Sequence, residues 1–356
     1  MARAFESIKV GAWDLPQRFV MAPLTRNRAG EGQAPRELNA EYYGQRATAG
    51  LIVSEGTQPS AVGQGYLDTP GIHTDAQIEG WAKVADAVHA NGGRIVIQLM
   101  HVGRIAHPDN KNGLETVAPS AIAAPGSIVT ATGEQPYVTP RALETDEIAG
   151  VVAEYVDAAR KAIAAGIDGV EVHAANGYLI HQFLAPSSNT RADGYGGSPA
   201  NRARFGIEVT KAVAEAIGAE RVGIRISPAH NIQGVLEEDA ADVAATYEAL
   251  IEGIAPLGLA YLSILADPTK DLVRDLRKRF NGPVVLNNGF GSVTDLDAVE
   301  GILERDEADL VAVGRPFLAN PDLVRRWREG IELNEPNQAT FYGGAAEGYT
   351  DYPFAD

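Results

Sequence analysis

The stretch Gly169-Val-Glu-Val-His173, followed at once by Ala-Ala-Asn176-Gly-Tyr178, decides how the rest of the chain is read. A short apolar run that breaks into polar groups is a strand buried on both faces, with chemistry collected at its C-terminal end. Seven more runs have the same form: Phe19 to Met21, Leu51 to Ser54, Arg94 to Leu99, Val222 to Ser227, Leu259 to Leu265, Pro283 to Leu286 and Asp309 to Val313. Between them lie helix-period segments at Ala76 to Ala90, Thr145 to Ala164, Asn201 to Ala216, Glu238 to Ile251 and Thr294 to Leu303. Eight strands alternating with helices predict a parallel sheet closed into a single (β/α)8 TIM barrel, of class α/β. Ser198 with Pro199 reads as a helix N-cap with proline at the first helical position. Thr145 with Glu147, and Asn320 with Pro321, read as similar starts. Ile8 to Val10 and the turn at Gly11 to Pro16 predict a hairpin plugging the barrel's bottom, and Ile105 to Ala142 a long lid-like insertion after strand 3.

A barrel needs about 250 residues, so the 356 of this chain fit one barrel with insertions, residues 1–356 forming a single domain. With 45% hydrophobic and 22% charged residues it is an ordinary globular protein. It has no cysteine, which removes disulfides, thiolate metal and iron–sulfur sites, and a cysteine nucleophile. A net charge of −17 disfavours nucleic acid and anionic membranes. The start lacks a signal-peptide pattern and no apolar stretch is long enough to span a bilayer, which predicts a soluble, cytoplasmic protein.

In a barrel the residues just past each strand carry the chemistry. Here they are Pro23, Leu24 and Thr25; Glu55 and Gly56; Gln98 and Met100; His173, Asn176 and Tyr178; Arg225; Asn288 and Gly289; Gly314 and Arg315. The last two ends suit one phosphate, through glycine N–H groups and the Arg315 charge. Taken alone, these glycines read more readily as turn glycines and Arg315 as a surface arginine. No dinucleotide fingerprint, phosphate-binding loop or GxSxG motif occurs. The histidine pairs His101/His107 and His173/His181 lack carboxylates at a metal-site spacing, so no metal is expected.

Four stretches together resemble one family. Arg18-Phe-Val-Met-Ala-Pro-Leu-Thr-Arg26, the run from His173 to Leu184, Arg191 with Asp193 ahead of Tyr195-Gly-Gly-Ser198 and Asn201-Arg202, and Gly314-Arg-Pro-Phe-Leu-Ala-Asn-Pro-Asp322 are similar to the Old Yellow Enzyme family. The closing FYGGAAEGYTDYP resembles its bacterial branch of pentaerythritol tetranitrate, morphinone and N-ethylmaleimide reductases. The resemblance implies FMN held without a covalent link, NADPH or NADH as reductant, and an ene-reductase acting on enones, enals, maleimides and nitroalkenes, as monomer or homodimer. It implies that Pro23, Leu24, Thr25, Gly56 and Gln98 line the flavin ring, that Arg225 sits beside its N1 and C2 carbonyl, and that Asn288, Gly289, Gly314 and Arg315 hold its phosphate.

It further implies that His173 and Asn176 hold the substrate oxygen, that Tyr178 supplies a proton to the α-carbon, and that Tyr66, Met100 and Tyr349 line the substrate pocket. A guanidinium beside a ring edge that gains negative charge, and a phenol with an ordinary pKa of about 10 as proton donor, are chemically apt. Four positions depart from common patterns: Met100 where many relatives have tryptophan, Asn287 and Asn288 where smaller residues are often seen near the phosphate, and Thr25 where another branch has cysteine. A nitrate-ester or nitroaromatic reductase using the same flavin site is the alternative enzyme. A flavin-binding protein without turnover and a flavin-free barrel are the other classes.

Overall fold

The computed structural model describes residues 3–291 and 293–356. Strands β1 (Ile8–Val10) and β2 (Trp13–Leu15) form an antiparallel hairpin. After it come β3 (Phe19–Met21), β4 (Leu51–Thr57) and β5 (Ile95–Leu99), then the insertion strands β6 (Val117–Ala118), β7 (Ser127–Thr130), β8 (Gly133–Pro136) and β9 (Arg141–Ala142). The chain continues through β10 (Gly169–Ala174), β11 (Val222–Ile226), β12 (Tyr261–Leu265), β13 (Val284–Asn287) and β14 (Leu310–Val313). Strands β3, β4, β5 and β10 to β14 pair in parallel in that order, and β14 pairs back with β3 to close the barrel. The eight expected runs are its eight staves. Around them lie α1 (Glu37–Gln45), α2 (Asp75–Ala90), α3 (Ile148–Ala164), α4 (Leu179–Leu184), α5 (Pro199–Ile217), α6 (Ala240–Ile254), α7 (Asp271–Phe280), α8 (Leu296–Glu304), α9 (Arg315–Ala319) and α10 (Leu323–Glu329). Among the described residues no helix is long and apolar enough to cross a membrane.

Side-chain alternation sorts each stave into an outer and an inner face. Ile52, Ile97, Val172, Ile224, Leu286 and Val311 belong to the outer core beneath the helices. Val20, Val53, Val96, Tyr261, Val285 and Leu310 form a separate buried cluster inside the barrel, together with Val10, Trp13 and Leu15 of the hairpin. The hairpin therefore plugs the bottom, as expected. It fits closely: a Cβ at Gly169 would lie 2.8 Å from the Trp13 ring, and one at Gly11 2.2 Å from the Glu220 carbonyl. Higher up, the inward positions turn polar, with Gln98, Glu171, Arg225 and Ser263 all buried.

Local starts account for several helix positions. Ser198 Oγ accepts from Asn201 N with Pro199 at the first position of α5, and Thr74 with Gln77 makes a reciprocal capping box on α2. Two expected starts are corrected. The Thr145 hydroxyl donates to Asp193 at 2.5 Å and does not cap, and α3 begins at Ile148. The Asn320 amide donates to the Pro316 carbonyl while α10 starts at Leu323, because Asn320 ties the preceding turn to Asn334. The segment 105–142 is ordered by two small sheets, the parallel pair β6–β9 and the hairpin β7–β8.

Strand β4 runs past its expected end to Thr57 and carries a bulge. Val53 pairs with Val96 but Gly56 pairs with Gln98, so one extra residue is inserted. The bulge reverses the alternation. Gly56 faces inward, while Glu55 turns out to accept from Arg26 N and the Tyr43 hydroxyl.

Candidate active site

A cavity of about 330 Å³ opens at the C-terminal ends of the staves, within the size range of roughly 300 to 1,000 Å³ usual for small-molecule pockets. Pro23, Leu24 and Thr25 after β3, Gly56 in β4, Gln98 and Met100 at the end of β5, and Arg225 in β11 line it. So do His173, Asn176 and Tyr178 after β10, Gly289 after β13, and Gly314 with Arg315 after β14.

Beneath the cavity the inward polar positions form a network. Gln98 Nε2 donates to Glu171 Oε1 at 2.7 Å, and the Tyr261 hydroxyl donates to Glu171 Oε2 at 3.0 Å. Gln98 and Glu171 are register partners across β5 and β10, so the bond follows from strand pairing. Burial pushes the Glu171 carboxyl up, opposed by the Arg225 charge and by these two bonds. Burial also lowers the Arg225 pKa, with Glu171 and Tyr261 acting against it. Arg225 Nε and Nη1 are buried with no partner among the described residues. Such orphaned donors in a side chain that lines a cavity ask for acceptors on whatever occupies it.

The turn after β10 brings His173, Asn176 and Tyr178 together at the cavity. Ala175 N donates to His173 Nδ1 at 3.2 Å, which makes Nδ1 an acceptor and leaves the proton on Nε2. Burial first, then the Arg225 charge, hold the His173 pKa well below its ordinary value, so the ring is neutral. Asn176 has φ 58° and Gly177 φ 82°, a pair of left-handed residues that turns the chain back sharply. The Asn176 Oδ1 atom is buried without a partner among the described residues. Tyr178 packs edge-on to His173, with ring centroids 5.1 Å apart, and its hydroxyl lies 2.9 Å from that of Tyr66. Burial raises the Tyr178 pKa and the Tyr66 bond partly offsets it, so the phenol is protonated through the neutral range.

Two expected site residues lie elsewhere. Tyr349 is fully buried, stacked on Tyr42 with centroids 4.0 Å apart and covered by the Arg26 and Arg28 guanidiniums. It anchors the segment that follows residue 340, and Tyr342, at the other end of that segment, lines the cavity. Nothing in an irregular stretch distinguishes one tyrosine from the other. Asn288 turns away and accepts from the Thr294 hydroxyl, while Asn287 lines the cavity. Alternation along β13 is the signal for this: Val285 points inward, so Asn287 does too. Tyr66 lines an adjoining hollow of about 580 Å³ with Tyr137, Tyr342 and Ile128 of β7, reaching the main cavity through Thr25 and Tyr178.

The donor set fits FMN. An unpartnered buried guanidinium and Gln98 supply one polar edge, apolar Pro23, Leu24 and Met100 supply walls, and Gly289, Gly314 and Arg315 supply a rim for phosphate. Arg315 also donates to the Phe290 carbonyl at 3.0 Å, joining the two rim loops. Of the other histidines, His101 accepts from Gly103 N and His107 from Asp109 N, while His89 Nε2 pairs with Asp168 Oδ2. Among the described residues no group of three or more metal-ligating side chains comes together.

Residues 3–334 match the sequence model of the NADH:flavin oxidoreductase / NADH oxidase family. The chain is 41% identical to a protein of Leishmania infantum described as a probable flavin mononucleotide-dependent alkene reductase, over 97% of this chain and 95% of that one. It superimposes on morphinone reductase solved in complex with tetrahydroNAD with a TM-score of 0.93, at 48% identity over 99% of this chain and 98% of the other. On the Old Yellow Enzyme homologue from Zymomonas mobilis the TM-score is 0.92, at 42% identity over 98% and 99% of the two chains.

Proposed function

This chain belongs to the NADH:flavin oxidoreductase / NADH oxidase family, as an FMN-dependent, NAD(P)H-driven ene-reductase of the Old Yellow Enzyme kind, and from that premise we propose that His173, Asn176 and Tyr178 carry out its chemistry on α,β-unsaturated carbonyl and nitro compounds. Bound FMN would supply the redox chemistry, hydride transfer between NAD(P)H and the alkene. Gln98 and Arg225 would hold its pyrimidine edge, and Gly289, Gly314 and Arg315 its phosphate. His173 donates from Nε2–H, and Asn176 from its amide, to the substrate oxygen. Both strengthen their bonds as that oxygen gains charge, the behaviour of an oxyanion hole. Tyr178 then protonates the α-carbon, and Tyr66, bonded to the same hydroxyl, stabilises the phenolate until solvent restores the proton.

The observation that carries this reading is a neutral imidazole with its Nδ1 engaged and a protonated phenol beside it, over an unpartnered buried arginine. The adjoining hollow with Tyr66, Tyr137 and Tyr342 takes the body of the substrate. The chain works as one unit, since the cavity draws on residues from Ala22 to Tyr342. The test is anaerobic addition of NADPH to the yellow protein, followed by 2-cyclohexenone, N-ethylmaleimide or a nitroalkene. Bleaching, recovery of the flavin band and a saturated product are expected. A bleached flavin that oxygen alone reoxidises would overturn the proposal.

A further inference from the structure

Besides the backbone bond from Tyr178 N to the Ala175 carbonyl, four side chains hold the turn that presents Asn176 and Tyr178. Asn176 N donates to Ser227 Oγ at 2.9 Å and its carbonyl accepts from Gln233 Nε2 at 2.8 Å. Gly177 N donates to His181 Nδ1 at 2.9 Å and its carbonyl accepts from Gln182 Nε2 at 2.7 Å. No room is left for adjustment: a Cβ at Gly177 would lie 2.8 Å from Gln233 Cβ and 3.0 Å from the Ile232 carbonyl. His181 is the one ionisable group among these four. It is fully buried, and its Nε2 faces Glu237 Oε1 across 3.3 Å, with the Glu237 side chain 2% exposed. That contact is at hydrogen-bond distance but off-line, since Nε2 meets no hydrogen-bond geometry, so it acts as a charge facing an N–H dipole. The other carboxylate oxygen accepts from Ala229 N at 2.7 Å.

From this geometry we infer that His181 and Glu237 are positioning residues for Asn176 and Tyr178. The Glu237 carboxylate favours the proton on His181 Nε2, which keeps Nδ1 an acceptor for the Gly177 N–H, and that bond fixes the left-handed turn. In the other tautomer, Nδ1–H would oppose Gly177 N–H and push the turn out of place. Neither side chain lines the cavity, so they act only through the turn. The logic is that of a carboxylate setting a histidine's tautomer behind a functional group. The inference rests on the catalytic roles proposed above for Asn176 and Tyr178.

The primary test is ¹⁵N-histidine NMR of the FMN-loaded protein, with the His181 signals assigned by their loss in His181→Asn. An unprotonated Nδ1 and a protonated Nε2 are expected; a protonated Nδ1 or a charged ring overturns the inference. The second readout is the dissociation constant of p-hydroxybenzaldehyde, followed through the flavin absorbance, with FMN affinity measured alongside. His181→Phe removes the acceptor and is expected to weaken phenol binding roughly tenfold while leaving FMN affinity within about twofold. His181→Asn, whose Oδ1 can stand near the Nδ1 position, is expected to recover most of that loss. Equal losses in the two variants would mean that the imidazole only fills space, and would overturn the inference. If His181→Phe does not fold, Glu237→Gln takes its place, with the same weakening of phenol binding and a redistributed tautomer expected; wild-type behaviour there also overturns it. Wild-type protein that binds no phenol and reduces no enone, yet shows the Nε2–H tautomer, would instead locate the failure in the proposed function.

Discussion

Tyr178 gives up its proton only if its surroundings leave it protonated beforehand and stabilise the anion afterwards. Burial supplies the first and the Tyr66 hydroxyl the second. For Tyr178→Phe, flavin reduction by NADPH is therefore expected to proceed, while reoxidation by an enone slows by about 10²- to 10⁴-fold. Reoxidation by a nitroalkene is expected to slow less, because a nitronate is a more stable anion and can leave before protonation. Stopped-flow traces with both substrates check this, and equal slowing would remove Tyr178 from the role. At this scale the sequence was informative at most strand ends, Asn288 being an exception that turns away from the cavity. His173, Asn176 and Tyr178 follow an apolar run, and so they meet in one cavity. It was silent where no period exists: Tyr342 and Tyr349 look alike in sequence, and only packing against Tyr42, Arg26 and Arg28 removes Tyr349 from the site. Nor did it reveal His181, whose role depends on a carboxylate 56 positions away, Glu237.

Strand β4 shows what an element adds to its residues. Its bulge is invisible in the run Leu51 to Ser54, since an extra residue leaves apolar composition unchanged, yet it decides which of Glu55 and Gly56 enters the cavity. Inward-facing Gly56 lies under Met100: a Cβ there would be 2.5 Å from Met100 Sδ and 3.3 Å from its Cβ. Gly56→Ala should therefore displace the thioether into the pocket, with a stability change of under about 1.5 kcal/mol because the flexible end moves. Enone KM should rise, and adding Met100→Ala should relieve it; strict additivity of the two changes in a double-mutant cycle would contradict the contact. Outward-facing Glu55 is buried, and burial first of all pushes its pKa from 4.5 to about 7 against the opposing bonds and charges of Arg26 and Tyr43. The folded state thus keeps a proton that the unfolded chain has lost. Its contribution to stability is fully present below about pH 4.5 and lost as pH rises through about 7. Relative to Glu55→Gln, the wild type should lose up to about 3 kcal/mol between pH 4.5 and 8. Urea unfolding of both at pH 5 and pH 8 measures it, and a constant gap would show that Glu55 is ionised throughout.

Across the whole molecule, the barrel interior passes from an apolar bottom closed by Trp13 to a polar layer under the cavity. That gradient was only half legible: apolar runs announced the staves, but Glu171 inside one of them gains its meaning from Gln98, Tyr261 and Arg225 on three others. If the orphaned Arg225 donors bond the cofactor, as proposed, its binding is tied to stability. Stripping FMN should lower the unfolding free energy by about 2.7 kcal/mol relative to protein held at 100 times the dissociation constant. Arg225→Met should narrow that difference by weakening the holoprotein more than the stripped one, and a difference left unchanged would detach the guanidinium from the flavin. The hairpin plug has a practical consequence too. Arg3 bonds to Leu303 and Asp306 at the closed end of the barrel, away from the mouth framed by Tyr342. A tether joined ahead of Arg3 would fix the molecule to a bead or an electrode with its substrate opening facing the liquid.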